Sequence, residues 1–441
     1  MDLYRHGLIA AREAIAAGKF TASDYLESCI ARTLAIEPAV GAFAHFDADA
    51  VRFAQPKIPP RGALAGMPIG IKDIIATRAV PTEMGSAAYK GHVPNYSAWV
   101  VDALVEASAI IFGKTVSTEF AWRHSGKTRN PWNLEHTPGG SSSGSAAAVA
   151  YGGVPAALGT QTLGSVIRPA AYCGVVGYKP SFGAIPRTGV YPLAPSLDHI
   201  GVFARSVADA AWLASLLTGR DSIDFLHTPA PAPAWPLSAL GEQPHFALLR
   251  TAAWHRLSDE QRDLVEVTAR QLESCGATIT ELDLPRAFDD AWEIAQTICE
   301  AEAAVVNGRF ASEHPSRVSA PTLALVARGH ALSAADYLRA KDAQQSLIRA
   351  FWALMAPFDA AITAPAFGEA PAGLGNTGDA MFCTPFTLVG APSLSLPAGE
   401  SKNYLPLGVQ MIGRWGDDRR LLETALWVER SLSRPVSFPL T

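Results

Sequence analysis

Apolar residues first recur at helical spacing near the N terminus, where Leu26, Ile30 and Leu34 mark one face of a helix. Thr21 stands before it as N-cap, with Asp24 at the capping-box position. The apolar run over 67–72 predicts a strand that ends at Lys72. A helix over 98–107, a short strand over 110–113 and a long loop follow. Residues 145–150 read as a helix behind a Gly/Ser turn, which would aim N-terminal N–H groups at that turn. Ser206 caps a helix running to Leu217, which Gly219 ends. Residues 227–244 are Pro/Ala-rich and form a connector. Beyond it, HFALLR at 245–250, a helix over 258–275 stopped by Gly276, and TITELDL at 278–284 predict a β-α-β unit. Its right-handed crossover would make the two strands parallel. Helices over 287–308 and 333–355 and a buried strand over 359–365 complete the pattern, with no internal repeat. The chain therefore reads as mixed α/β.

Composition narrows the class. A chain of 441 residues with 49% apolar and 17% charged residues has ample core for one large domain or two smaller ones. A net charge of -5 leaves no basic footprint for nucleic acid, and no basic cluster points to a membrane. The five cysteines are scattered, with no CxxC and no Cys/His metal spacing. They read as small core residues of a protein in a reducing compartment. Arg12, Glu13 and Lys19 interrupt the first twenty residues, so no secretory signal is legible. The longest apolar candidate, 146–159, is broken by Gly152, Gly153 and Pro155. The expectation is a soluble cytoplasmic protein.

The chemistry concentrates in 138–180, PGGSSSGSAAAVAYGGVPAALGTQTLGSVIRPAAYCGVVGYKP. Its serines at 141, 142, 143, 145 and 165 sit beside glycines, but the apolar runs AAAVA and CGVVG rule out a flexible linker. Glycine beside serine lets backbone amides turn toward a ligand, as an oxyanion hole requires. A Gly-rich turn inside an ordinary α/β core remains the plain alternative. Upstream, GMPIGIKDII at 66–75 carries a lone lysine, Lys72. Desolvation would lower its pKa and make it a base; a strand-end lysine reaching solvent is the other reading.

Lys72, GGSSSGS and GSVIRP together resemble the amidase signature family of serine hydrolases. RNPWNLEHTPGG, CGVVGYKPSFGAIPRTGV, SLDHIGVFARSVADAA at 196–211 and LPLGVQMIGRWGDD at 405–418 extend the likeness over most of the chain. The resemblance implies one domain over 1–441, a mixed central β-sheet flanked by helices on both faces, with 227–244 a surface crossing. It implies Ser165 as nucleophile, Ser141 as a bridging serine joined to Gly140 by a cis bond, and Lys72 as base, with no cofactor and no metal. Backbone N–H groups of Thr162, Leu163, Gly164 and Ser165 would form the oxyanion hole. A hydroxyl both donates and accepts, so Ser141 could relay a proton between Ser165 and Lys72.

Three positions depart from the family pattern. Gln161 stands where Asp is usual, and Leu163 and Ser143 stand where Gly is usual. Leu163 would reshape the acyl pocket and could not comfortably hold a positive φ. The GSVIRP order resembles the malonamidase-like branch, which implies Arg168, with Gly140, on the substrate side and Arg168 gripping a carboxylate. A structural ion pair under the loop is the alternative for Arg168. Asp198 reads as a turn or ion-pair residue. Asp73 points away from Lys72 if that segment stays extended. His92, His124, His136 and His199 form no metal-spaced pair, and Trp132, Tyr191, Phe382 and Phe386 read as core.

The expected activity is cleavage of a small-molecule amide through a serine acyl-enzyme. The expected partner is that substrate, with no nucleic acid and no membrane, and a homodimer is allowed. Two alternatives stand: the A-type component of a tRNA-dependent glutamine amidotransferase, which needs partner chains, and a non-catalytic binding protein on the same scaffold. Gln161 and Leu163 speak against the former, and the presence of Lys72, Ser141 and Ser165 against the latter.

Overall fold

Among the described residues, eleven strands join one mixed sheet. The computed structural model describes residues 2–54, 62–228, 236–241 and 243–440. The strands are β1 (Phe43–His45), β2 (Pro68–Lys72), β3 (Ile110–Thr115), β4 (Ala156–Gln161), β5 (Val176–Lys179) and β6 (His199–Ala204). They continue with β7 (His245–Arg250), β8 (Thr278–Asp283), β9 (Ala360–Thr363), β10 (Ser393–Glu400) and β11 (Pro406–Ile412). Their spatial order is β1-β3-β2-β4-β6-β5-β10-β11-β9-β7-β8. β2 runs parallel to both β3 and β4, and β7 runs parallel to both β8 and β9. Between β4 and β9 every pairing is antiparallel. The predicted β-α-β unit is present as β7, the helix Asp259–Ser274 and β8.

All five residues of β2 are buried, as its unbroken apolar run requires of a strand covered on both faces. That placement carries Lys72 into the interior. β4, its parallel neighbour, is equally buried. The eight residues of the helix Ser143–Ala150 are also buried, two residues more than the sequence pattern marks at its start.

Several local expectations are refined. Thr21 and Asp24 form a reciprocal capping box on the helix Ala22–Val40. Leu26 and Ile30 are buried but Leu34 is exposed. Eight residues overshoot two turns by about 80°, so the buried stripe passes through Cys29 and Thr33 instead. The helix capped by Ser206 ends at Ser215, ahead of Gly219. The helix expected over 287–308 is Ala291–Glu313, because Arg286–Phe288 forms a separate 3-10 turn after Pro285. The helix Ala320–Ala331 is an addition to the sequence pattern. Cys275 is exposed, unlike the other four cysteines, because it caps the end of a surface helix. Of the connector, residues 229–235 and 242 lie outside the described residues. No helix among the described residues is long and apolar enough to cross a membrane.

The helix Ser143–Ala150 approaches the backbone around it so closely that Gly144 has no room for a side chain. A Cβ there would overlap the Ala42 carbonyl oxygen and the Val116 amide nitrogen. We expect Gly144→Ala to destabilise the protein by about 1–3 kcal/mol, the usual scale of overpacking. Gly241→Ala, whose Cβ meets nothing within 4 Å, should stay within about 0.5 kcal/mol of wild type. Thermal unfolding of the two variants checks this; coincident melting curves would count against backbone crowding at Gly144.

Candidate active site

Lys72 is 0% exposed at the end of β2. Its Nζ donates to Ser141 Oγ at 2.7 Å and to Thr160 Oγ1 at 2.7 Å. Burial pushes its pKa well below the ordinary lysine value, against an upward pull from the Asp198 carboxylate. Two other lysines are buried, and their partners differ. Lys179 donates to the Pro180 and Ala391 carbonyls, which can only accept. Lys114 faces Asp73 and donates to the Ile75 carbonyl and to the hydroxyls of Thr77 and Thr82. Those two hydroxyls already donate to the Ile75 and Val80 carbonyls. Among the described residues, only at Lys72 does a buried amine meet hydroxyls whose protons are not committed to a backbone carbonyl.

Asp73 turns away from Lys72, accepting the Glu83 amide at 3.1 Å. Thr160, which the sequence reading did not single out, lies on β4, the strand paired in parallel with β2.

The serine-rich turn sorts its hydroxyls by function. Ser142 Oγ donates to the Thr160 carbonyl at 3.1 Å and accepts the Thr160 amide at 3.2 Å. Ser145 Oγ donates to the Leu158 carbonyl at 2.8 Å, and Ser143 Oγ to the Gly139 carbonyl at 2.7 Å. These three fasten the turn to β4 and to itself. Ser141 is left facing Lys72, and the peptide bond between Gly140 and Ser141 is cis. Ser143, where glycine is usual, fits because its hydroxyl closes this turn.

Ser165 lies with Ser141, Thr162, Leu163 and Gly164 on the wall of a cavity of about 510 Å³. The segment that carries it is tied down on every side. Gln161 Oε1 accepts the Val166 and Ile167 amides at 2.8 and 3.0 Å. Its Nε2 donates to Thr387, whose hydroxyl donates to the Leu163 carbonyl at 2.9 Å. A carboxylate could accept but not donate, so glutamine at 161 can bond Thr387 while the Thr387 proton stays on the Leu163 carbonyl. Thr162 Oγ1 donates to Asp198 at 2.6 Å, and Asp198 also accepts the Leu193 and Ala194 amides at 2.8 and 3.0 Å. Burial raises Asp198 to about 6. Among the described residues, the N–H groups of Thr162, Leu163, Gly164 and Ser165 meet no acceptor. Leu163 keeps a negative φ. The strain foreseen for a side chain there does not arise, and the leucine adds an apolar wall.

Arg168, 5% exposed on the helix Ile167–Cys173, borders the same cavity. Its Nη2 donates to the Gly140 carbonyl at 2.7 Å and to Thr377 at 3.4 Å, while its buried Nε has no partner. Among the described residues it makes no ion pair. Phe382 and Phe386 are core residues, and the Trp132 indole donates to the Cys173 carbonyl at 2.8 Å. Tyr191 packs half-buried against the core and also lines a second cavity of about 240 Å³ that shares Ala121, Thr162 and Leu193 with the first. Its hydroxyl donates to buried Asn307 at 2.9 Å. His199 is buried and borders this second cavity.

Comparison with known proteins fits this arrangement. The family described as Amidase matches residues 24–422. A glutamyl-tRNA(Gln) amidotransferase subunit from Synechococcus sp. (strain WH7803) is 35% identical over 95% of this chain and 96% of its own. Among solved structures, 6-aminohexanoate cyclic dimer hydrolase superimposes with a TM-score of 0.89 at 25% identity, covering 100% of this chain and 99% of that one. Native peptide amidase from Stenotrophomonas maltophilia gives a TM-score of 0.84 at 27% identity, covering 99% of each chain. The match spans the sheet, the serine turn and the cavity alike, and this chain belongs to the amidase signature family.

Proposed function

We propose that the protein is an amidohydrolase that cleaves the C–N bond of a small-molecule amide through an acyl-enzyme on Ser165. The observation that carries this reading is the contact between buried Lys72 and Ser141, 2.7 Å apart, with Ser141 and Ser165 on one cavity wall. Neutral Lys72 accepts the Ser141 proton as Ser141 takes that of Ser165. The Ser165 oxygen bonds to the carbonyl carbon, and N–H groups among Thr162, Leu163, Gly164 and Ser165 hold the oxyanion, each worth roughly 3–4 kcal/mol. The C–N bond then breaks, and the relay returns the proton to the departing amine or ammonia. Water attacks the ester by the same route and releases the acid. Arg168, with Nη2 on the Gly140 carbonyl, braces the turn that holds Ser141 in place.

A second reading keeps this chemistry but delivers the ammonia to a partner. The amidotransferase relatives at 33–35% identity favour it; the changed residues at Gln161 and Leu163 favour a free-standing enzyme. Amide hydrolysis by the purified chain alone supports the first reading. Turnover only with added partner chains and an aminoacylated tRNA supports the second.

Three outcomes are expected. Ser165→Ala abolishes turnover, and a fluorophosphonate labels wild type once, on Ser165, by mass spectrometry; Ser141→Ala stays folded but loses roughly 10²–10⁴ in kcat. A label on a cysteine, or full activity in Ser141→Ala, would overturn the assignment.

Lys72 works only when deprotonated. The enzyme's kcat/KM should therefore rise with pH through a pKa well below 10.5. The Asp198 charge favours the ammonium, so Asp198→Asn should move this acid limb to lower pH. A limb unmoved in Asp198→Asn, or activity peaking in acid, would exclude Lys72 as the base.

If Arg168 braces the turn, Arg168→Ala should lower kcat/KM alike on acidic and neutral amides. A loss confined to acidic amides would instead assign Arg168 the direct grip on a carboxylate.

A further inference from the structure

The same cavity holds a second arginine that no catalytic step uses. Arg123 lies on its wall and is exposed, whereas Arg168 lies deep and is 5% exposed. The Arg123 guanidinium sits 4.9 Å from the Trp122 ring centroid and 5.7 Å from that of Trp292. Trp122 is buried and follows directly in chain from Ala121; Trp292 comes from the helix Ala291–Glu313, far away in sequence. Cation–π attraction to two indole rings holds the guanidinium in place without using its N–H donors. Among the described residues, those donors meet neither a carboxylate nor a hydrogen-bond acceptor, since no bond or ion pair involves Arg123.

The neighbouring charges sharpen the point. The cavity wall carries Arg123, Arg168 and one acid, Asp379. Asp379 is already engaged by Arg256 at 3.7 Å and by the Met381 amide at 2.9 Å. Burial disfavours the Arg168 cation most; Asp379 favours it, and Arg123 opposes it more weakly. With two guanidinium groups and one carboxylate, the wall keeps a net positive charge. An anion at the mouth would offset that charge. Leu163, Leu193, Trp122 and Trp292 add apolar surface to the same cavity.

We infer that the cavity selects an amide whose far end bears a carboxylate, joined to the scissile carbonyl by an apolar chain, and that Arg123 at the mouth is the residue that recognises this carboxylate. The inference rests on the amidase reading and adds the substrate class to it. A planar, pre-oriented fork suits a carboxylate better than a point charge does. A volume of about 510 Å³ lies within the range of small-molecule sites.

The test separates recognition from turnover. The probes are the ω-carboxy amides succinamate, adipamate and suberamate, each beside its methyl-ended neutral counterpart. Calorimetry on Ser165→Ala measures their binding without chemistry. At least one ω-carboxy amide should bind more tightly than its neutral partner, and adding Arg123→Ala should weaken it by about 10- to 100-fold. Arg123→Lys keeps the charge but not the fork, and should fall between. In otherwise wild-type enzyme, the acidic-to-neutral ratio of kcat/KM should drop by a similar factor in Arg123→Ala, mostly through KM. Trp292→Leu should lower that ratio less, by loosening the stack. Equal binding of acidic and neutral probes, or a preference untouched by Arg123→Ala, would overturn the inference. Carboxylate binding that depends on Arg123, with no probe cleaved by wild type, would uphold the inference and overturn the hydrolase reading.

Discussion

Lys72 ends a strand covered on both faces, where an ammonium would lose its hydration and find no carboxylate in contact. Burying an unpaired charge is so unfavourable that the group sheds its proton instead. The amine still needs polar neighbours, and it has two, Ser141 and Thr160. Much of the central architecture follows from supplying them. β4 must lie beside β2 so that Thr160 reaches Nζ, and the serine turn must be held against β4 so that Ser141 does. Ser142 and Ser145 provide that hold through backbone atoms of Thr160 and Leu158. Gly144 lets the following helix lie against the backbone of Ala42 and Val116. The hydroxyls nearest the chemistry in sequence are thus mostly fasteners.

The contrast with the other buried lysines shows why burial alone is not a signature of function. Lys114 and Lys179 are as inaccessible as Lys72, and burial lowers all three. What differs is what their partners can still do. A carbonyl, or a hydroxyl whose proton is already committed, holds an amine in place and cannot hand it a proton. Ser141 can, and it opens onto the cavity that Ser165 shares. The distinction lies in hydrogen-bond direction.

This also explains what the sequence made legible. The strand ending at Lys72, the capping box at Thr21, the β-α-β unit and the serine blocks are local patterns, and each appears where its spacing places it. The division of labour among five serines was not legible, because their side chains are identical and only the register of the turn against β4 tells them apart. Leu34 was misplaced by a helical drift that two steps of four residues accumulate. The helix Ala320–Ala331 has a short and weakly amphipathic apolar pattern, and its cap residue, Ser319, bonds to Glu119 from a distant loop. The Arg123 stack needed Trp292, about 170 residues away. Glutamine at 161 was readable only as a departure until Thr387 supplied a partner for its amide.

The cavity wall draws on distant parts of the chain. Lys72, Ser141 and Ser165, proposed as the reacting groups, come from β2, the serine turn and the segment after Gln161, all within 72–168. The rest of the wall draws on Trp292 and the 375–381 segment. Rigid backbone ties suit a proton relay, which fails when donor and acceptor separate by an ångström. Recognition of a distant group needs less exact placement than a relay does. On the proposed reading, a change at Trp122, Arg123 or Trp292 would alter which amide is held, while the bonds that orient Lys72 and Ser141 would stay as they are. On that reading the fold separates the step common to amides from the feature that tells one amide from another.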